Sequence, residues 1–218
     1  MKNPLIIAIT LLLLFSTYRP QEFSTIKIFN IKEVKIENNF ILKDSDIKKN
    51  LIPLYDTNLL FLNISNIEKI LTKNNFIESL EVKKIYPNKL KIKIFEKSPI
   101  AVLQNKKEKF YVSENFDLIS YFDNKTFKNL PIIFGDKDNF RNLYINLKKI
   151  NFPVEFITKY YLYELKRWDL EIFDNKIIKL PSKNYIKSLK NFMDLSKTNN
   201  FSNYKVFDYR IKNQLILK

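Results

Sequence analysis

Apolar and polar positions alternate along the chain with two periods, and the changes of period mark out its elements. Val34–Glu37 has apolar Val34 and Ile36 two apart and predicts a short strand. Asp44 or Ser45 can cap a short helix through Leu51, with Ile47 and Leu51 on one side of it. The turn-like Asp56-Thr57-Asn58 leads into the apolar run Leu59-Leu60-Phe61-Leu62. Ile64, Ile67, Ile70 and Leu71 then recur at helical spacing and predict a second helix from about Ile64 to Lys73. Two strands follow, joined by a Tyr86-Pro87-Asn88 turn. Ile77–Ile85 points Leu80 and Val82 inward, and Leu90–Glu96 sets Leu90, Ile92 and Ile94 on one face, Lys91, Lys93 and Phe95 on the other. The order β-α-α-β-β predicts a three-stranded sheet with two helices packed on one face.

The second half repeats both periods. Phe140, Leu143, Tyr144, Leu147 and Ile150 share one helix face. Trp168, Leu170 and Ile172 alternate into Asp174-Asn175 and return through Ile177–Leu180, a hairpin. Tyr185–Lys197 is an amphipathic helix on Ile186, Leu189, Phe192 and Met193. Val206–Arg210 and Leu215-Ile216-Leu217-Lys218 are short strands. Trp168 and most other aromatics sit at core spacing.

The amino-terminal segment follows neither period. Met1-Lys2-Asn3-Pro4 is followed by Leu5–Phe15, almost wholly apolar, then Ser16-Thr17-Tyr18-Arg19-Pro20. This is either a cleaved signal peptide or a signal anchor. Residues 5–18 make about 21 Å of helix against a ~30 Å hydrocarbon core, which favours a signal peptide on length. Tyr18, Arg19 and Pro20 make a poor cleavage site, and Lys2, Tyr18 and Arg19 suit membrane interfaces, which favours an uncleaved anchor. The anchor reading is the one adopted, with residues 1–4 as a short cytoplasmic tail and the remainder outside the cytoplasm.

Composition removes whole classes of chemistry. The 218 residues contain no His and no Cys, which excludes thiolate metal sites, His-based nucleophile triads and redox thiol pairs. Gly135 is the only glycine, so there is no Gly-rich phosphate loop. The net charge is +15, but almost all of it is scattered Lys; Arg19, Arg141, Arg167 and Arg210 are the only arginines. A nucleic-acid partner is therefore not expected. Asp44-Ser45-Asp46 and Asp136-Lys137-Asp138 are carboxylate pairs that fit a helix N-terminus and a loop more simply than a glycosidase site. Asn63-Ile64-Ser65, Asn124-Lys125-Thr126 and Asn200-Phe201-Ser202 match a glycosylation pattern in an Asn-rich chain. No catalytic residue, metal, cofactor or small-molecule substrate is expected.

In this order the residues resemble the FtsQ/DivIB cell division family. The resemblance is carried by Tyr86-Pro87, by Leu90, Ile92 and Ile94, and by Glu96-Lys97-Ser98-Pro99-Ile100-Ala101. It continues through Phe110–Asn115, with Asn115 standing where the family has Gly and tolerating a left-handed backbone, through Leu130–Gly135 and Trp168–Ile172, and through Val206–Arg210. Asn75-Phe76-Ile77 departs from the family's Pro-Trp-Val. The resemblance implies an α+β chain: an anchor over 5–18, a POTRA domain over 29–97, and a mainly antiparallel β domain with two helices over 98–218. It implies a non-enzymatic, single-pass type II scaffold of the cell inner membrane, periplasmic in bulk and gathered at the division septum. The implied partners are FtsB and FtsL, with further contacts to FtsK, FtsW and FtsI. Strand addition at the open carboxyl-terminal edge would place Arg210, Ile211, Leu215, Ile216 and Leu217 at the contact, with Arg210 pairing an acidic partner residue. Two rival readings are a POTRA-bearing outer-membrane assembly or secretion factor and a membrane-anchored cell-wall enzyme. The residues after Ala101 are too few for a large barrel.

Overall fold

The computed structural model describes residues 4–16, 27–106, 108–197 and 203–218. Lys2, Tyr18, Arg19 and the Asn200-Phe201-Ser202 match lie outside the described residues. The chain divides into two compact units, Met1–Glu96 and Lys97–Lys218.

In the first unit α1 (Pro4–Ser16) is apolar around its whole circumference, and its large side chains from Leu5 to Phe15 are exposed. Among the described residues no helix is long and apolar enough to cross a membrane. The rest has the expected order: β1 (Glu33–Glu37), α2 (Asp44–Asn50), α3 (Ile64–Leu71), β2 (Ile77–Ile85) and β3 (Lys89–Glu96). The strands lie in the order β1-β3-β2, with β1 parallel and β2 antiparallel to β3. Ile92 sits between Ile36 and Val82 in the centre of the sheet. It packs with Leu90, Ile94, Ile47, Leu51, Ile67 and Leu71 in one buried cluster. The opposite face is charged, with Lys89 on Glu33 at 2.7 Å and Lys91 on Glu37 at 2.8 Å. Lys35 also holds Glu37, and hydrogen bonds from both lysines lower its carboxyl to about 2.

One local expectation needs correction here. Neither Asp44 nor Ser45 caps α2. The cap position is Lys43, without a side-chain bond, and Asp44 instead accepts from the Asn39 side chain at 2.6 Å. The loop before α2 is held from elsewhere. The Glu96 carboxylate accepts the backbone N–H groups of Phe40, Ile41 and Leu42 at 3.1, 2.9 and 2.8 Å. A carboxylate that gathers three amides ties the loop to the end of β3, which gives the acid of the Glu96–Ala101 run a structural role. The Asn63 side-chain Oδ1 caps α3 by accepting from Ser65 N–H at 2.9 Å.

Among the described residues the second unit is one nine-stranded mixed sheet. Its strands are β4 (Pro99–Gln104), β5 (Lys109–Ser113), β6 (Leu118–Ser120), β7 (Ile132–Phe134), β8 (Ile157–Tyr163), β9 (Arg167–Ile172), β10 (Lys176–Lys179), β11 (Val206–Asp208) and β12 (Ile216–Leu217). They run in the order β12-β11-β10-β9-β8-β7-β4-β5-β6. Antiparallel pairs predominate, but β4–β7, β7–β8 and β10–β11 are parallel. Parallel neighbours require a crossover, and two of these are helices: α4 (Lys137–Lys149) between β7 and β8, α5 (Tyr185–Ser196) between β10 and β11. Phe140, Leu143 and Leu147 of α4 and Leu189 and Phe192 of α5 cover Ile133, Tyr160, Trp168, Leu170, Ile178 and Phe207. Asp136 caps α4 by accepting from Asn139 N–H at 2.9 Å, so it ends a helix rather than sitting in a free loop. Asn124 caps a short 3₁₀ turn in the same way.

The left-handed residue of the turn after β5 is Phe116, at φ 63°, and not Asn115. Its ring reaches the core against Phe140 and Tyr144 and lies under the Arg141 guanidinium. Burial of an aromatic ring outweighs a backbone cost of about 1–2 kcal/mol. Gly135 serves close approach. A Cβ there would lie 2.7 Å from Leu162 Cβ and 3.3 Å from Trp168.

Ile92→Ala should cost about 2–5 kcal/mol in a urea melt. Lys91→Ala, on the charged face, should cost about 1 kcal/mol or less. Equal losses would mean that β3 faces the other way. Gly135→Ala should lower stability by about 1–3 kcal/mol, because Leu162 Cβ is fixed to its own strand and cannot swing aside; an unchanged melt would show that the strands part at no cost.

Candidate partner-binding surface

Two helices cover one face of the large sheet, and the other face is organised by charge. The strand registers align Phe134, Tyr161, Asp169, Lys179, Asp208 and Ile216 in one row across β7 to β12. Phe134 and Tyr161 stack with centroids 5.0 Å apart. Asp169 and Asp208 are only 4% and 5% exposed and flank Lys179 on the neighbouring strands. Each is closed by an arginine two residues away, the spacing that keeps both side chains on one face. Arg167 Nη1 donates to Asp169 Oδ1 at 2.6 Å, and the Arg210 guanidinium grips Asp208 with Nε at 2.8 Å and Nη2 at 2.6 Å. The Arg210 backbone N–H adds a further bond to Asp208 Oδ1 at 3.1 Å. Arg167 also lies 4.5 Å over the Tyr163 ring. In the next row Lys159 holds Glu171 at 2.9 Å, and the Tyr161 hydroxyl donates to Glu171 at 3.2 Å.

The two aspartates are pushed in opposite directions. Hydrogen bonding from Arg210 holds the Asp208 carboxyl below its ordinary 3.8, against the effect of burial. Burial dominates at Asp169 and raises its carboxyl, although Arg167, Lys179 and Arg210 oppose the rise. The same pairing raises the Arg210 guanidinium, so it stays charged.

The row ends at an edge. Among the described residues β12 has β11 as its one neighbour. Lys218 N–H donates to Val206 C=O at 3.1 Å, and Val206 N–H to Lys218 C=O at 3.0 Å. Backbone groups alternate in direction along an antiparallel strand, so those of Leu217 point away from β11. Tyr209, buried beside this edge, donates its hydroxyl to Asn191 of α5 at 2.9 Å, and burial pushes it up to about 12.

The expected contact residues divide between two jobs. Ile211 and Ile216 are exposed, at 51% and 37%. Leu215 and Leu217 instead pack partly against the helix-covered core. The regular strand is Ile216–Leu217, so Leu215 precedes it. Arg210 is half-exposed and already bound to Asp208, so it presents its outer side as one half of an ion pair and not as a free cation. Sequence reasoning missed Arg167, Asp169 and Lys179. The signal was present in Arg167-Trp168-Asp169-Leu170-Glu171-Ile172, where charged residues alternate with the apolar ones that were noticed. The acidic pairs are elsewhere and engaged: Asp44 and Asp46 with Lys48 and Lys49 on α2, Asp136 at its cap. Among the described residues no cluster of acids could hold a metal ion.

These features define a class: a β-α-α-β-β unit of POTRA type followed in the chain by a mixed-sheet unit that offers a strand edge beside a row of closed ion pairs. Comparison with known proteins supplies the family. A family model, "POTRA domain, FtsQ-type", matches residues 29–97. The cell division protein FtsQ of Rickettsia conorii (strain ATCC VR-613 / Malish 7) is 30% identical over 194 residues, 87% of this chain and 72% of the relative. FtsQ of Rickettsia typhi (strain ATCC VR-144 / Wilmington) is 30% identical over 87% of this chain and 73% of its own. Cell division protein DivIB of Clostridium tetani (strain Massachusetts / E88) is 30% identical over 87 residues, 40% of this chain and 32% of its own. Among solved structures, the major extracytoplasmic domain of the trans isomer of DivIB from Geobacillus stearothermophilus covers 47% of this chain and 92% of its own. Its identity is 15% and its TM-score 0.33, a likeness too loose to place residues. The chain belongs to the FtsQ/DivIB family of bacterial cell division proteins.

The Asp208 pair has a pH signature of fixed sign. Its carboxyl titrates lower folded than unfolded, so its contribution is complete above the unfolded value of about 4 and is lost as pH falls through the folded one. Asp169, raised by burial, acts in the opposite sense. Asp208→Asn should therefore destabilise at pH 7 by about 1–3 kcal/mol and flatten the loss of stability below about pH 4. Thermal melts across pH check this; a variant whose melting profile parallels the parent's would show the pair to be idle.

Proposed function

We propose that the chain is a non-enzymatic scaffold of the bacterial division machinery that binds other division proteins outside the cytoplasm. The observation that carries this reading is the β12 edge: outward backbone groups at Leu217 adjoin exposed Ile216, and exposed Ile211 and the clamped Arg210 lie in the connection that leads from β11 to it. An added strand would take its affinity from main-chain bonds and its specificity from these neighbours. Leu215 and Leu217 anchor the edge to the core, and the outer side of Arg210 keeps N–H donors for an acidic residue of the partner. Partners in this reading are FtsB and FtsL, with further contacts to FtsK, FtsW and FtsI.

The domains in this reading are a cytoplasmic tail over 1–4, an anchor over 5–18, a POTRA domain over 29–97 and a β domain over 98–218. The protein is a single-pass type II protein of the inner membrane, periplasmic in bulk and placed at the septum. An apolar helix exposed along its length supports lipid contact. Its 13 residues give about 20 Å, so spanning demands local thinning of the bilayer or a helix extended beyond Ser16.

Ile211→Asp with Ile216→Asp should abolish capture of an FtsB–FtsL pair in a pull-down while leaving the melting temperature of the chain unchanged. Leu215→Asp should lower the melting temperature itself. Normal capture by the doubly substituted, folded chain would place the contact elsewhere. A fluorescent fusion of the parent chain should gather at mid-cell.

A further inference from the structure

The smaller sheet has two edges of its own, and they differ in what happens when each is laid against a second copy of itself. β2 carries half-buried Leu80 and Val82 on the helix-covered face and Ser79, Glu81, Lys83 and Ile85 on the other. Most charges of the neighbouring strands are held within the sheet, Lys89 by Glu33 and Lys35 and Lys91 by Glu37, while Lys93 lies over the Phe95 ring. Glu81 and Lys83 make no ion pair within 4 Å among the described residues; Glu81 stands beside Lys93, and Lys83 beside Lys91, which Glu37 already holds.

Residues directly opposite in an antiparallel pair share a face, so only registers that oppose odd with odd and even with even positions keep both faces matched. Centring β2 on Val82 sets Glu81 against Lys83 of the second copy and Lys83 against its Glu81. It also sets Val82 against Val82 and Leu80 against the Lys84 stem. Shifting the centre to Glu81 opposes two glutamates, and shifting it to Lys83 or Lys84 opposes two lysines. The Val82 register alone pairs opposite charges without opposing like ones. It closes a ladder whichever alternate set of β2 backbone groups faces outward, because a centred pair can be of either kind. β1 lacks this property. Laid over its full length it opposes Lys35 with Lys35 and Glu33 with Glu37, and its charge-matching registers overlap only three residues whose charges are already held.

We propose that β2 is a self-association edge that pairs antiparallel with β2 of a second copy of this chain, centred on Val82. The two sheets then run on as one, and each Glu81–Lys83 pair is completed in trans. Val82 and Leu80 lose the exposure that the open edge leaves them. This surface is in the first unit, and the proposal does not depend on the partner contact at β12. Strand pairs of about seven residues bury less than the ~1,200–2,000 Å² of stable interfaces, so the dimer is weak and concentration-dependent.

The chain has no cysteine, so a single introduced thiol reports without background. In the proposed register the two Cα atoms of residue 82 lie about 4.5–5.5 Å apart, within disulfide range. The full chain carrying Val82→Cys, in mild detergent under air oxidation, should give a covalent dimer; Lys35→Cys on β1 should not. A Leu80→Cys chain mixed with a Lys84→Cys chain should cross-link, and either alone should not. Added to Val82→Cys, Glu81→Lys should cut the yield several-fold, and Glu81→Lys with Lys83→Glu should restore it. Sedimentation of the unsubstituted chain over a concentration series gives an independent reading should Val82→Cys fail to fold. A strictly monomeric parent chain, cross-linking equal at residues 35 and 82, a yield indifferent to charge reversal, or a mixed adduct with another protein only would each overturn the proposal.

Discussion

Two helices can cover one face of a nine-stranded sheet but not both, and the second unit is organised around that shortage. On the covered face the alternating residues are Ile133, Tyr160, Leu170, Ile178 and Phe207, and the core is continuous. On the open face the same strands offer Phe134, Tyr161, Asp169, Lys179 and Asp208. Near β5 and β6 the open face finds cover of another kind. Tyr111 packs there against Tyr121, Phe122 and Phe127, and its hydroxyl donates to Phe122 C=O at 2.6 Å. From β9 to β11 such cover is replaced by charge.

That replacement explains the arginines. A carboxylate almost removed from water is costly unless paired and hydrogen-bonded. Two such groups in one row, with one lysine between them, leave a surplus of negative charge across β9 to β11. Arg167 and Arg210, each two residues from its aspartate, correct the surplus locally. A fork that binds two oxygens does this with fixed geometry where a lysine would not. The clamp also holds the chain at Arg210 just where it leaves β11 for the edge strand. The charge pairs and the edge are therefore one construction: Asp208 fixes the segment on which Ile211 depends.

The element order, the inward face of β3 and the helix faces of α4 and α5 were legible because they rest on periodicity, which any half-buried element must display. The misread positions share a different cause. At the turn after β5 the backbone preference of Asn115 is real but local, whereas the Phe116 ring gains a distant pocket between Phe140 and Tyr144. At α2 Asp44 is drawn to the Asn39 side chain five residues before it, and the loop that sets this geometry is secured by Glu96, far along the chain. The candidate surface was half legible. Arg210 and the edge residues stood out, but that Arg210 is already chelated depends on side-chain geometry within a pattern that the sequence shows only as Asp-x-Arg. The parallel pairing of β10 with β11 was not legible, since two strands separated by a helix can join a sheet in more than one place.

One buried group lies outside this logic. The Tyr160 hydroxyl sits in the fully buried core beside Phe140 and Trp168 with no hydrogen-bond partner among the described residues, and burial raises it far above the ordinary tyrosine range. An unpaired hydroxyl there costs free energy that a phenylalanine would avoid. Its ring, however, meets Phe140 and Trp168 edge to face, at centroid distances of 5.1 and 6.5 Å. The residue is held by its ring and tolerated in its oxygen. The same ranking governs Phe116, where a strained backbone is accepted to seat an aromatic ring. In a chain with one glycine and no disulfide, aromatic packing is the interaction to which polar and backbone preferences give way.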